Sequence, residues 1–261
     1  MVVKSVIIYP IKGMKGTSLI SCPNLIRGFE NDRRYMLIDR NNKFVSQRSH
    51  SILALIDPRI VNEEIQVIYQ DQSFSFPLAL ASKEIVDISL FEHTIQGRLV
   101  SEKVDKQFSK LINDDVRLVK MTDDNVRTKK LIKGPDSTLV SFADGYPYLI
   151  AGTASLSQLN KMMDQSVLMD RFRPNIIIET KVPHEEDEWE SIQIGKAKMM
   201  VIKPCARCPV VTINQQTGKK NKETLKVLST YRKKDNKVYF GANAISLGNN
   251  IISVGDTVVA L

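Results

Sequence analysis

Two thiols in Pro204-Cys205-Ala206-Arg207-Cys208-Pro209 are the groups in this chain most able to do chemistry. A C-x-x-C pair supports several kinds. Structural zinc takes four ligands, and the missing two would have to come from Cys22 or from His50, His93 and His184, which lie far apart, each in a polar sequence setting. A thioredoxin-like pair sits at a helix N-terminus, whose dipole lowers the thiol pKa. Here the β-branched run Pro-Val-Val-Thr-Ile follows, which reads as a strand and makes a poor helix start. A third chemistry needs one thiolate only. A soft transition metal already held by a cofactor's sulfurs can take one more, and Arg207 beside the thiol favours its anionic form. Two inert buried cysteines are the remaining reading, and spacing alone leaves all of these open.

Asp170-Arg171-Phe172-Arg173-Pro174-Asn175 precedes the apolar run Ile-Ile-Ile-Glu. Alternate residues of a strand point to one side, so at a strand entrance Arg171 and Arg173 are expected to share the side opposite Phe172. Guanidinium forks suit phosphate and the edges of planar heterocycles; pairing with carboxylates such as Asp170 is the ordinary alternative. Three strand–turn junctions add polar groups. Tyr9-Pro10-Ile11-Lys12-Gly13 offers an ammonium and an unobstructed backbone N–H, Asn31-Asp32-Arg33-Arg34 opens another strand, and Ala143-Asp144-Gly145-Tyr146-Pro147 supplies a carboxylate. Taken singly, each is an ordinary solvated turn.

The elements that must position these groups are mainly strands. Val-Lys-Ser-Val-Ile-Ile-Tyr-Pro, residues 35–47 with a hairpin turn at Asn41-Asn42, and the segments around 53–61, 65–70 and 73–78 are β-branched and aromatic. Such a rhythm fits a sheet curled into a small barrel. Ser101 is placed to cap a helix over Glu102–Ile112, with Val104, Phe108, Leu111 and Ile112 on one face. Residues 122–138 are polar and aperiodic and read as a long mobile loop. Ser155 is expected to cap a second helix carrying Leu156, Leu159 and Met163, and a third is expected from about Glu223 to Tyr231. Further strands follow residue 171. The fold class is mostly β, a two-part α+β protein divided at 1–85 and 86–261, with the sharper motifs in the second part.

Composition narrows the partners. With 261 residues and 43% hydrophobic content, a substantial core is expected. No apolar run approaches the roughly 18 residues of a membrane helix, and the N-terminus lacks a secretory cleavage site, so a cytoplasmic protein without a membrane partner is expected. The net charge of +8 and pI near 9.3 come from scattered lysines without an aromatic platform or a helix-turn-helix or zinc-finger spacing, so nucleic acid is not expected. A basic surface favours an anionic cofactor or an acidic redox partner.

In order along the chain, Tyr-Pro-Ile-Lys-Gly-Met-Lys-Gly, Asp-Arg-Arg-Tyr-Met-Leu-Ile-Asp, Ala-Asp-Gly-Tyr-Pro-Tyr-Leu-Ile, Arg-Phe-Arg-Pro-Asn-Ile, Cys-Ala-Arg-Cys, Thr-Ile-Asn-Gln-Gln-Thr-Gly, residues 223–232 and Val-Gly-Asp-Thr-Val resemble the MOSC superfamily with its N-terminal β-barrel extension. The resemblance covers nearly the whole chain and is nearest to the amidoxime-reducing type. It implies an N-terminal β-barrel-like domain packed on a C-terminal MOSC β-barrel with a few helices, and one molybdopterin whose molybdenum takes Cys208 as a further sulfur ligand. Cys205 is then a neighbour. Lys12, Gly13 and Arg33 match positions near the cofactor phosphate; Arg171, Arg173, Ala206 and Arg207 match its surroundings. Asp144 matches a carboxylate near the metal, assigned with Cys208 to the catalytic group. Gly145 and Tyr146 fall where relatives carry Thr-Ser, and Asn250 falls near the last contact position. The implied activity is reduction of amidoximes, hydroxylamines or N-hydroxylated bases, with electrons from a separate flavin or haem protein, since no ferredoxin-type cysteine pattern is present. The alternative within the same superfamily is a sulfur carrier using a Cys208 persulfide.

Overall fold

A computed structural model describes residues 1–91 and 93–261. The first strand, Val2–Ile8, buries Val3, Val6 and Ile8; a bulge between Val3 and Ser5 shifts the two-residue alternation so that both valines face inward. It belongs to a nine-stranded sheet ordered Thr17–Leu19, Val2–Ile8, Ile176–Glu179, Tyr148–Gly152, Lys237–Ser246, Ala197–Ala206, Ser191–Ile194 and Val258–Ala260, with Lys233–Lys234 paired to Lys237–Ser246 off this path. Backbone bonds from Val3 N to Asp256 O (3.0 Å), Gly255 N to Val3 O (2.8 Å) and Val258 N to Met1 O (2.9 Å) bring the last segment back to the first. The sheet thus curls around Val6, Tyr148, Ile150, Ile176, Met199 and Val201.

A second apolar centre lies under the sheet ordered Tyr35–Ile38, Arg117–Lys120, His93–Leu99, Ile85–Leu90 and a three-stranded sheet of Asp57–Val61, Glu64–Tyr69 and Gln72–Pro77. The helix Glu102–Ile112 closes it. Ser101 Oγ accepts from Val104 N (3.3 Å), Asn113 ends the helix in the left-handed conformation, and Val104, Phe108, Leu111 and Ile112 are buried. The helix Glu223–Tyr231 also forms as its sequence predicts. The mostly β, two-part α+β reading holds.

Two expectations fail here. The second helix spans Thr153–Lys161 with Gly152 at its N-cap, so Ser155 lies inside it; its hydroxyl is buried and donates to Glu186 instead of capping. A fully buried carboxylate outcompetes the helix end for that hydroxyl. Residues 122–138 are not all loop. Thr128–Lys130 pairs with Ser137–Leu139, because Arg127 is pulled inward to donate to Ser141 O (2.5 Å) and Ala143 O (2.7 Å). Among the described residues no helix is long and apolar enough to cross a membrane.

Candidate functional site

Three turns far apart in sequence are stitched together by their backbones. Arg33 N donates to Tyr9 O (2.8 Å), Lys12 N to Tyr35 O (2.8 Å) and Phe142 N to Arg33 O (3.0 Å). These bonds set Lys12, Arg33 and Asp144 side by side. Lys12 is 5% exposed. Its ammonium donates to Phe142 O (2.7 Å) and makes a close ion pair with Asp144 Oδ1. Arg33 donates to the buried Asp32 (2.5 Å), to Asn175 Oδ1 (3.2 Å) and to Arg173 O (3.3 Å). Tyr9 lies between two guanidinium groups, Arg33 at 4.4 Å and Arg173 at 4.3 Å from its ring centroid, while its hydroxyl donates to Pro174 O (3.0 Å). Gly13 takes φ +86°, open to glycine without strain, and its carbonyl accepts from Gln47 (2.7 Å). Gln47 bonds Gln215 (3.0 Å), whose amide oxygen accepts from Arg173 (3.4 Å). Gly13 and Arg173 are therefore linked through a buried glutamine pair.

Crowding of like charge controls the electrostatics. Burial lowers the pKa of Lys12 despite Asp144. Burial, with Arg33 adding to it, brings Arg173 down to about 10. Burial also opposes the charge of Arg33, but Asp32 and Tyr9 outweigh it and its pKa rises. Burial alone would raise Asp144; Lys12, then Arg33 and Arg173, bring it down to about 2. The phenol of Tyr9 is pushed up to about 12 by burial, against the two arginines.

The thiols occupy a second group. The strand Ala197–Ala206 carries Cys205 and ends at Ala206, which lies exposed opposite Tyr239. Arg207 donates to Cys205 Sγ (3.0 Å) and to Phe172 O (2.8 Å). Cys208 is half-buried and free, and it leads into a 3-10 turn, Pro209–Thr212. That turn corrects the strand expected for the Pro-Val-Val-Thr-Ile run; Pro209 favours the start of a turn, and Thr212 Oγ1 bonds back to Pro209 O (2.7 Å). Cys22 stands apart in the sheet core, its thiol pushed up to about 12 by burial. Among the described residues no group of three or more His, Cys, Asp or Glu side chains could hold a metal ion by itself.

The turn Met169–Phe172 joins the two groups. It is a 3-10 turn, after which Arg173 adopts the left-handed conformation at φ 56°. The sequence expectation that Arg171 and Arg173 flank one side of a strand fails for this reason. Arg173 enters the cation group, whereas Arg171 is buried elsewhere and donates to Thr224 (3.4 Å). Of the other residues singled out, Gly145 borders open space. Tyr146 packs with Leu131, Ile202 and Ile245. Asn250 pairs in register with Asn24 across a different sheet.

Arg127, Gln47 and Gln215 were not read from the sequence. Arg127 sat in a stretch without periodicity, Gln47 carries no pattern, and Gln215 lay in the Thr-Ile-Asn-Gln-Gln-Thr-Gly motif without being singled out. A cavity of about 380 Å³ opens beside Asp144, lined by Phe91, Ile95, Val126, Arg127 and Lys129 among others. His184, in spite of its polar sequence setting, is buried against Tyr231 and Phe240, and neither ring nitrogen has a hydrogen-bond partner among the described residues.

Comparison with known proteins bears on this arrangement. A MOSC N-terminal beta barrel domain matches residues 1–115 and a MOSC domain matches residues 137–259. The Molybdenum cofactor sulfurase of Drosophila mojavensis is 30% identical over 245 residues, which cover 90% of this chain but 30% of that protein. Mitochondrial amidoxime-reducing component 1 of Danio rerio is 28% identical over 247 residues, 90% of this chain and 76% of its own length. The solved YUAD protein of Bacillus subtilis is 9% identical, with a TM-score of 0.44 over 99% of this chain and 94% of its own. This chain thus spans about 30% of the sulfurase relatives it matches and 76% of the amidoxime-reducing one. With both domains matched in order along its length, the chain belongs to the MOSC-domain proteins that carry a MOSC N-terminal beta barrel domain.

Proposed function

We propose that this protein binds the molybdenum cofactor and reduces N-hydroxylated compounds such as amidoximes, hydroxylamines and N-hydroxylated bases, using electrons from a separate flavin or haem protein. One observation carries the reading. Among the described residues, Lys12, Arg33, Arg127 and Arg173 gather near Asp32 and Asp144, and Arg173 Nη2 is buried without a hydrogen-bond partner. A buried donor left unmade costs about 1–3 kcal/mol, more when charged. A phosphorylated, anionic heterocycle would satisfy the spare donors and the excess charge together. The residues present fit such a group.

In this reading Lys12, Arg33 and the Gly13 backbone hold the phosphate end, while Arg173, Arg207 and the Ala206 backbone line the pterin. Cys208 offers its thiolate to the metal. When bound, the cofactor supplies the two-electron reduction of the N–O bond. The chain's contribution is placement and charge. Lys12 engages Asp144 Oδ1, and the Asp144 side chain keeps 67% of its surface open, so its second oxygen is available to an N–H or O–H of the substrate. Support also comes from relatives named amidoxime-reducing components, from Danio rerio and Bos taurus, similar over 90% and 86% of this chain.

Protein made in a host that synthesises the cofactor tests the reading through its metal and pterin content and its turnover of benzamidoxime with a chemical reductant. About one molybdenum per chain is expected, with metal and turnover both lost in Cys208→Ser. A Cys208→Ser protein that keeps its molybdenum and full turnover overturns the proposal. Persulfide sulfur on Cys208 in metal-free protein supports a sulfur carrier instead.

A further inference from the structure

We propose that Phe91, backed by Phe44, is an aromatic platform in the cavity beside Asp144, stacking on the flat ring of aromatic N-hydroxylated substrates and selecting them over saturated ones. The inference rests on the reductase reading and names the substrate class that the same site prefers.

Backbone geometry marks the residue. Phe91 follows the strand Ile85–Leu90 at a turn and takes φ +56°. Such positions favour Gly, Asn and Asp, because a larger side chain is strained there. Among the described residues that combine a side chain with a positive φ, Phe91 is the one apolar residue. The others are Asn, Asp, Glu, Gln, His and two arginines, Arg33 and Arg173, which belong to the cation group. Bulky residues held in this conformation gather at functional sites.

Packing does not explain the strain, since Phe91 is 45% exposed. Its ring is nonetheless held. It meets Phe44 at 4.8 Å between centroids, with the planes tilted by 54°. Phe44 is fixed to the same strand, its N donating to Ser89 O (3.3 Å) while Ser89 N donates to Asn42 O (3.0 Å). The Lys12 ammonium and the Arg48 guanidinium each lie 5.6 Å from both ring centroids. Lys12 also pairs with Asp144, so one side chain ties the aromatic pair to the carboxylate.

The cavity sets the ligand. Phe91, Ile95, Val126 and Asp144 line a space of about 380 Å³, the size of a small-molecule site. Asp144 offers an acceptor and Phe91 a π-system. An aromatic amidoxime or an N-hydroxylated nucleobase is flat and conjugated from its ring to the N–OH group. It can stack on Phe91 while an N–H or O–H meets Asp144. A saturated amidoxime keeps the polar contact and has no ring to stack.

The cofactor-loaded full chain is assayed with benzamidoxime and acetamidoxime, titrated with benzamide in a calorimeter, and melted by circular dichroism. Wild type is expected to favour benzamidoxime in kcat/KM by at least about tenfold, and Phe91→Asn to cut that ratio about tenfold, mainly through KM. Benzamide should bind Phe91→Asn about fivefold more weakly. Phe91→Tyr, which keeps the ring, should restore most of both. Phe91→Asn should melt no lower than wild type, because Asn accepts the positive φ. A Phe91→Asn protein melting more than about 3 °C below wild type makes Phe91 a packing residue and overturns the platform. Benzamide binding that is absent, or unmoved in Phe91→Asn, overturns it too. Equal turnover of the two amidoximes by wild type sinks the platform and spares the reductase reading. Turnover of neither, with benzamide weakened in Phe91→Asn and restored in Phe91→Tyr, does the reverse.

Discussion

Replacing Asp144 with Asn removes the negative partner that Lys12 faces while Arg33, Arg127 and Arg173 stay charged around it. The Asp144 carboxyl is held at about 2, against an ordinary value of 3.8. At about 1.36 kcal/mol per pH unit, that gap corresponds to about 2 kcal/mol between its two protonation states. The side chain is 67% exposed, so solvent screens part of this and about 1 kcal/mol is expected. A carboxylate with a depressed folded pKa contributes stability that is complete above its unfolded value and lost as pH falls through its folded one. At pH 7 the Asp144→Asn protein should therefore melt about 2–4 °C below wild type. The difference should shrink as pH falls below about 4 and disappear near 2. Pairing it with Lys12→Met should recover most of the loss, because the buried Lys12 ammonium is then no longer left without its partner. Adding inorganic phosphate should also narrow the gap. Thermal unfolding followed by circular dichroism, with and without phosphate, measures all of these. Equal melting temperatures at pH 7, or a double variant that only sums its two singles, would refute the reasoning.

Other perturbations probe the same physics. Arg173→Met removes a guanidinium with an unpartnered buried nitrogen, so cofactor-free protein should lose no stability in urea and can gain about 1 kcal/mol, while pterin content falls. His184 has its pKa lowered to about 4 by burial, with Arg232 adding to it. It should destabilise the fold progressively from pH 6.5 down to 4, by up to about 3 kcal/mol, and His184→Phe should flatten that slope in denaturant titrations. Gly241 has φ +71°, and a Cβ there would lie 2.6 Å from Ile150 O. Gly241→Ala should cost at least about 2 kcal/mol by chemical unfolding, from backbone strain in the strand that backs the thiols.

What could be read from sequence follows the range of the forces involved. Helix 102–112 was legible because Ser101 and the spacing of Val104, Phe108, Leu111 and Ile112 act within one segment. Lys12, Arg33 and Asp144 were legible as polar turns and through family resemblance, but their convergence was not. It depends on backbone bonds between residues 9, 33, 35 and 142, which no local pattern encodes. Arg171 was misplaced because period-2 reasoning presumed a strand where the chain makes a 3-10 turn. Ser155 was misread because a hydroxyl three residues into a helix and one at its cap look alike until Glu186 is brought beside it from 31 residues away. Arg127 had no signal at all; its two acceptors are carbonyls, and every residue has one.

The cation group is costly for the fold taken alone. Four charged groups, Lys12, Arg33, Arg127 and Arg173, gather near the buried Asp32 and the more open Asp144 among the described residues, and burial works against the charge of each cation. A protein under pressure for stability alone would fill such a space with apolar side chains, which is often the more stable choice. The arrangement is instead braced from several sides. Gln47 and Gln215 tie Gly13 to Arg173, Asn175 holds Arg33 while donating to Ile7 O (3.1 Å), and Arg207 ties the thiol segment to Phe172. Bracing of this kind fixes repelling groups at short range, where they bind an anion without reorganising. The turn 169–173 is where the bracing and the chemistry meet, since one of its backbone carbonyls anchors Arg207 and its last side chain enters the cation group. Displacing that turn would misalign thiol and cations together, whereas removing any single cation would disturb only its own contacts.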